Sequence, residues 1–235
     1  MISFFDSSKA ALTPFIDKLW RASSNNVSLY VRGSSLLPIE PNLAQPIDID
    51  FLLFVNGEIN RIRSIATDIT NHANKVTPLT PYLDIKVIHC CEESPELLFN
   101  TLLVTKTGRL LHGKDLSAST ALYMEQQHKI IRFILHEAES KLSSVIQTSN
   151  KEIQNKRIPH LSKAILRIAG LLKLKEGVYT RSPKKCADIL YEKYPTILEH
   201  VAMILQSFRD PFLSDELLMS YFIVLNKIKR DVERE

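Results

Sequence analysis

The stretch VRGSSLLPIEPNLAQPIDIDF, residues 31–51, is the most informative part of this chain. It opens with a small-residue turn directly after an apolar run, and it then crosses a loop that contains three prolines. It ends with Asp48 and Asp50 on either side of one isoleucine, in a segment that otherwise has the composition of a buried core. Because buried carboxylates are costly unless a cation accompanies them, the two aspartates raise the question of which cation they face.

The sequence around this stretch predicts an α/β unit. Apolar residues at strand spacing predict strands at 26–33, 47–55 and 82–91, and helical spacing predicts helices at 7–23 and 58–76. Asn56-Gly57 and the prolines at 78 and 81 supply the turns between these elements. We expect a small mixed sheet with helices over residues 1–117.

The strand pattern ends near residue 118, and the rest of the chain is predicted to be an all-α helical bundle over residues 118–235. A polar stretch at 149–157 is expected to be a loop between helices. Apolar periodicity predicts one long helix from about residue 120 and further helices over 159–176, 183–194, 196–209 and 214–233.

Composition places the chain among ordinary globular proteins. It has 235 residues, of which 45% are hydrophobic and 24% charged, and its net charge is +4. We expect a cytoplasmic protein, since the sequence contains no signal peptide pattern and no apolar run long enough for a membrane span. Cys90, Cys91 and Cys186 have neither disulfide-framework nor zinc-ligand spacing, so we expect reduced thiols.

The candidate catalytic and metal-binding residues are Asp48, Asp50 and Asp84. Residues i and i+2 of a strand point to the same face, so Asp48 and Asp50 present two carboxylates side by side. Asp84 lies in an equally apolar strand, and three carboxylates converge if that strand is a neighbour. Such oxygen ligands suit Mg²⁺ or Mn²⁺ in phosphoryl transfer. Taken without the other features, the Asp-x-Asp pair has an alternative interpretation as a hairpin loop with two exposed aspartates that flank an edge strand.

The small-residue turn is the candidate phosphate site. Gly33 allows the backbone to approach a phosphate closely, and successive N–H groups in a turn form an anion-binding nest. Ser34 and Ser35 add hydroxyl donors. Together with the carboxylates, this turn predicts a site for a metal-bound nucleoside triphosphate.

These residues resemble a known signature. Val31-Arg32-Gly33-Ser34 followed by Ile47-Asp48-Ile49-Asp50-Phe51 is similar to the motif of the DNA polymerase β-like nucleotidyltransferase superfamily, and Asp84 in YLDIKV matches its third acid. The resemblance implies that the first two acids bind the metals. It also implies that the third either joins them or deprotonates the acceptor hydroxyl.

The second half contains a recognisable set of features within residues 160–195, namely Arg167, Gly177, Ser182, Lys184 or Lys185, and Tyr194-Pro195. In these features it resembles the helical domain of bacterial aminoglycoside nucleotidyltransferases of the streptomycin and spectinomycin type. The resemblance implies that an arginine and a lysine from this half contact the ATP phosphates, namely Arg167 and either Lys184 or Lys185.

The predicted activity is therefore metal-dependent transfer of a nucleoside monophosphate, AMP from ATP, to a hydroxyl acceptor. The acceptor is left open between a small molecule such as an antibiotic, a protein and a tRNA. Basic segments within 151–185 argue mildly for an uncharged or anionic acceptor, such as a protein, a tRNA or a nucleotide. The alternative is a non-catalytic nucleotide sensor or antitoxin-like interaction protein with the same fold.

Overall fold

The computed structural model describes residues 3–22, 26–36, 48–76, 82–90, 93–117 and 120–234. The chain divides into two compact units, Met1–Ser119 and Thr120–Glu235. The predicted proline loop (Pro38, Pro41 and Pro46) and Cys91 lie outside the described residues.

The first unit is the predicted α/β unit with a small mixed sheet. The strands follow the order β3-β2-β1-β4, with β2 and β3 parallel and β1 antiparallel to both β2 and β4. The elements are helices α1 (Phe4–Arg21), α2 (Ile59–Val76) and α3 (Pro95–Thr107), and strands β1 (Asn26–Arg32), β2 (Asp48–Val55), β3 (Tyr82–His89) and β4 (Gly108–Gly113).

Side chains alternate between two core faces of the sheet, as the period of two in a strand requires. Phe51 and Leu53 of β2 pack with α1 and α2, whereas Leu52 and Phe54 pack in a second cluster with Val104 of α3. Both faces are therefore covered along most of β2, which explains why its sequence is an almost continuous apolar run.

The fourth strand, β4, is not among the strands that the sequence predicts. β4 pairs with β1 along its length. The connection beyond it is also tied to β1, because the Tyr30 hydroxyl donates to Asp115 Oδ1 (2.8 Å) and accepts from the Leu116 N–H (2.6 Å). Arg109 and Leu110 are exposed, so β4 lacks the apolar alternation that would reveal a strand.

The second unit is all helical, as predicted. Ser214 caps the last helix by accepting a hydrogen bond from the Leu217 N–H, and Asp215 and Glu216 follow in its first turn. The helices are α4 (Thr120–Glu125), α5 (Gln127–Ile146), α6 (Lys151–Leu172), α7 (Pro183–Lys193), α8 (Leu198–Gln206) and α9 (Asp215–Val232).

The loop prediction at 149–157 is wrong, because α6 already begins at Lys151. Asn150 is its N-cap and accepts from the N–H groups of Glu152 and Ile153. Gln154 is buried and donates to the Val145 carbonyl (3.1 Å), which ties the polar first turns of α6 to the end of α5. A capped start and a buried amide thus stabilise a helix where the sequence shows mainly polar residues.

None of the helices in the described part of the chain is long and apolar enough to cross a membrane.

Candidate active site

Three strands place charged residues in one row across the sheet. In the register of β1 with β2, Arg32 lies opposite Asp50, and in the register of β2 with β3, Asp50 lies opposite Asp84. Residues directly opposite each other on neighbouring strands project to the same face. Asp48 is two residues before Asp50 and shares its face, opposite Tyr82 on β3.

This row begins where the second core cluster ends. Leu52 and Ile88 lie farther along β2 and β3 on the face that bears the carboxylates, and they are buried together with Val104 of α3. Asp48 and Asp84, in contrast, are exposed, and Asp50 is half-buried. The carboxylates therefore occupy the end of the sheet that α3 leaves open.

Arg32 is the basic partner of the central carboxylate. Its Nη2 lies 3.7 Å from Asp50 Oδ1, and the two side chains are 14% and 21% exposed. Its Nε is buried and has no hydrogen-bond partner within the part of the chain that the structure describes. Arg32 offsets the charge of Asp50 in part, while Asp84 adds a like charge on a strand about 4.8 Å away.

The carboxylates that the structure describes do not form a complete set of metal ligands. Within the described ranges, no three His, Cys, Asp or Glu side chains are grouped so that they could hold an ion as they stand. The donor set nevertheless fits Mg²⁺ or Mn²⁺, because Mg²⁺ takes one or two carboxylates and fills its other positions with water and substrate phosphate oxygens. Asp48 and Asp50 would hold the ion, and Asp84 lies opposite Asp50 on the neighbouring strand.

The Gly33 turn lies directly against Asp50. Gly33 has φ +89°, and a Cβ at this position would come 2.7 Å from Asp50 Oδ2. The backbone continues into a short 3₁₀ turn, Ser34–Leu36, in which the Leu36 N–H donates to the Gly33 carbonyl (3.3 Å). Only glycine combines this backbone conformation with so close an approach to a carboxylate.

The two serines of the turn differ in what the structure describes. The Ser35 side chain is buried, and its hydroxyl donates to the Arg32 carbonyl (3.3 Å). Ser35 therefore holds the shape of the turn in this structure, and its hydroxyl is not presented as the phosphate donor that the sequence suggested. The structure describes the backbone of Ser34 but not its side chain.

In the helical unit, Arg167 has a structural contact of its own. Its Nε donates to the Arg181 carbonyl (3.0 Å), in the segment that leads from α6 to α7. Lys184 and Lys185 are exposed in the first turn of α7, which contains no acidic residue. Contact of these three residues with ATP phosphates stays a prediction.

Sequence reasoning did not select Arg32 or Tyr82 as site residues. Arg32 stands within the motif, but its pairing with Asp50 depends on the register of β1 against β2. Tyr82 is two residues before Asp84 in β3, so the two side chains share a face of the strand. Alternation along the strand could therefore have identified Tyr82 once β3 was known to adjoin β2.

Comparison with solved structures identifies the fold. The crystal structure of spectinomycin adenyltransferase from Enterococcus faecialis with ATP and spectinomycin is similar, with a TM-score of 0.54 and 14% sequence identity over 92% of this chain and 99% of that chain. In comparisons of the sequence, no family model and no curated protein matches the chain. The chain thus has a nucleotidyltransferase-like fold with a helical C-terminal part.

Proposed function

We propose that this protein is a nucleotidyltransferase that transfers AMP from ATP to a hydroxyl group of an acceptor. The observation that carries the proposal is the position of the Gly33 turn against Asp50, with Asp48 beside it and Asp84 opposite it on the neighbouring strand. A backbone turn that can receive phosphates and a set of carboxylates that can receive a divalent ion are thereby adjacent.

Each of these residues has a definite task in the proposed reaction. The N–H groups of the Gly33 turn bind the triphosphate, and Asp48 and Asp50 hold Mg²⁺ or Mn²⁺. The bound ion supplies charge neutralisation at the phosphate oxygens. Asp84 accepts the proton of the acceptor hydroxyl. The hydroxyl oxygen of the acceptor then bonds to the α-phosphorus of ATP, and the bond from that phosphorus to pyrophosphate breaks.

We propose three classes of acceptor: small molecules, proteins and tRNA. A structural neighbour whose crystals contained ATP and spectinomycin supports a small hydroxyl-bearing molecule, including an antibiotic, as one candidate. Protein and tRNA hydroxyls stay candidates because the segment 151–185 is rich in lysine and arginine.

The test combines nucleotide binding with turnover. Mg²⁺ together with ATP should raise the melting temperature of the protein, since a ligand that binds only the folded state stabilises it. The double variant Asp48→Asn, Asp50→Asn should lose that rise. Asp68→Asn, which alters an exposed aspartate of α2, should keep it.

Pyrophosphate release with a panel of acceptors then separates an enzyme from a sensor. Release that depends on both the acceptor and the two aspartates supports transfer. Stabilisation by Mg²⁺ and ATP without release for any small molecule, protein or tRNA would support the non-catalytic alternative. An unchanged rise in the double variant would place the nucleotide elsewhere.

A further inference from the structure

The ion pair between Arg32 and Asp50 differs from the other ion pairs of this protein. Among the lysine and arginine pairs that the described residues form, it is the most buried and also the longest. Its N–O distance is 3.7 Å, whereas the distances of the other pairs are 2.5–3.0 Å. A hydrogen bond from a guanidinium to a carboxylate is about 2.7–2.9 Å long, so Arg32 attracts Asp50 through its charge and is too far away for a hydrogen bond.

The guanidinium of Arg32 has donors that its surroundings do not use. Its Nε is buried and has no hydrogen-bond partner among the described residues. A buried donor without a partner costs free energy, so its presence in a native fold points to a partner that arrives with a ligand. The planar fork of an arginine matches two oxygens of a phosphate. Arg32 is therefore equipped for an anion that offers more acceptors than Asp50 does in this structure.

Arg32 borders the turn that is proposed to bind the triphosphate. The guanidinium faces Oδ1 of Asp50, and a Cβ on Gly33 would come close to Oδ2 of the same carboxylate. Lys86 of β3, farther along the face that bears the carboxylates, pairs instead with Glu96 of α3 (2.8 Å). Arg32 is thus the cation that this face directs at Asp50, and it lies next to the expected position of the phosphates.

We propose that Arg32 exchanges partners, so that it holds Asp50 in the free protein and moves to an oxygen of the triphosphate when the nucleotide binds. This inference rests on the proposed function. While Arg32 lies at Asp50, it lowers the affinity of that carboxylate for a divalent ion, because the two cations repel each other. Its transfer to the triphosphate frees Asp50 for the metal. Arg32 thereby couples the two ligands, and each raises the affinity for the other by the same factor.

Substitution of Arg32 by glutamine tests the exchange, because it should change two affinities in opposite directions. ATP in the presence of EDTA, followed by NMR titration, should bind roughly tenfold more weakly, because a charge-assisted hydrogen bond is lost. Mn²⁺ without nucleotide, followed by electron paramagnetic resonance, should bind roughly tenfold more tightly, because the competing cation is gone. A residue that only supports the fold would weaken both ligands. Any pattern other than these opposite changes would overturn the proposal.

Two further variants separate the exchange from a loss of folding. Arg109→Gln removes an arginine–aspartate pair with Asp6 on the opposite face of the same sheet, so it should leave both affinities unchanged. Arg32→Lys keeps the positive charge but has no fork, so Mn²⁺ should bind as it does to wild type, while metal-free ATP binds severalfold more weakly. If Arg32→Gln does not fold, an ATP affinity of Arg32→Lys equal to that of wild type would overturn the exchange.

Turnover separates this inference from the proposed function. Opposite changes in the two affinities, without pyrophosphate release for any acceptor, would support the exchange and count against AMP transfer. Pyrophosphate release by the wild type, together with affinities that fall in parallel in Arg32→Gln, would support transfer and overturn the exchange. Wild-type protein that binds neither ATP nor Mn²⁺, alone or together, would overturn both.

Discussion

Replacement of Gly33 by alanine tests the link between the turn and the carboxylates most directly. An added Cβ would lie 2.7 Å from Asp50 Oδ2 and 3.7 Å from its Cγ. The carboxylate stands at the end of a short, half-buried side chain, so it can move away toward the 3.4 Å of ordinary contact. That retreat would also shift the oxygen that pairs with Arg32.

Two effects of different size follow from this geometry. The positive φ of +89° costs an alanine about 1–2 kcal/mol in the free energy of unfolding. Displacement of Asp50 adds little to that cost, but it misplaces a proposed ligand of the metal. Misorientation of a metal ligand typically lowers metal affinity about 10- to 100-fold, and we expect a loss of that order for Mn²⁺ and for ATP with Mg²⁺.

Gly177 provides the matched control. It also has a positive φ (+77°), but among the described residues a Cβ there would meet only Met124 Cε, at an ordinary 3.9 Å. Urea unfolding should therefore show similar destabilisation for Gly33→Ala and Gly177→Ala. Titration with Mn²⁺ by electron paramagnetic resonance, and with ATP and Mg²⁺ by calorimetry, should show a loss only for Gly33→Ala. Equal affinities in the two variants would refute the reasoning.

Two other predictions concern Asp84 and Cys186. Asp84→Asn should retain affinity for ATP and Mg²⁺ yet lose pyrophosphate release, because an amide cannot accept the hydroxyl proton; a parallel loss of metal affinity would instead make Asp84 a ligand. Burial raises the pKa of the Cys186 thiol from 9.0 to about 11, so its contribution to the stability of the helical unit is complete below pH 9 and is lost toward pH 11. In a Cys90→Ser, Cys91→Ser background, iodoacetamide at pH 8 should label Cys186 only as fast as that unit opens, and labelling at the rate of a free thiol would contradict this.

The helices and strands of the first unit were predictable where local sequence signals mark their ends. β2 and α2 lie within a residue or two of their predicted ranges, since the apolar run of β2 and the Asn56-Gly57 turn after it are both local signals. β4 depends instead on pairing with β1, about 80 residues earlier in the chain, and its exposed residues give no alternation. The early start of α6 likewise depends on a side-chain contact of Gln154 with α5.

The candidate site divides in the same way. That Asp48 and Asp50 share a face follows from the period of a strand alone. That Asp84 stands opposite Asp50 required the parallel pairing of β2 with β3, and the contact of Arg32 with Asp50 required the register of β1. The burial of Ser35 could not be anticipated, because a hydroxyl in a turn can face either the solvent or its own backbone.

In the helical unit, Arg167 ties the segment before α7 to α6. Its Nε donates to the Arg181 carbonyl, and a Cβ at Gly170 would lie only 1.9 Å from the Thr180 carbonyl oxygen, so the segment before α7 is seated closely on α6. That segment ends at Ser182, the N-cap of α7. Arg167 thus orients the start of α7.

The first turn of α7 exposes two lysines, Lys184 and Lys185. Ser182 makes no side-chain capping hydrogen bond within the described part of the chain, and Lys184 and Lys185 follow in a turn without an acid. The N–H groups at a helix start carry partial positive charge, and two adjacent lysines add to it. Contact of Lys184 or Lys185 with a phosphate stays a prediction, as does that of Arg167, whose Nε donates to the Arg181 carbonyl.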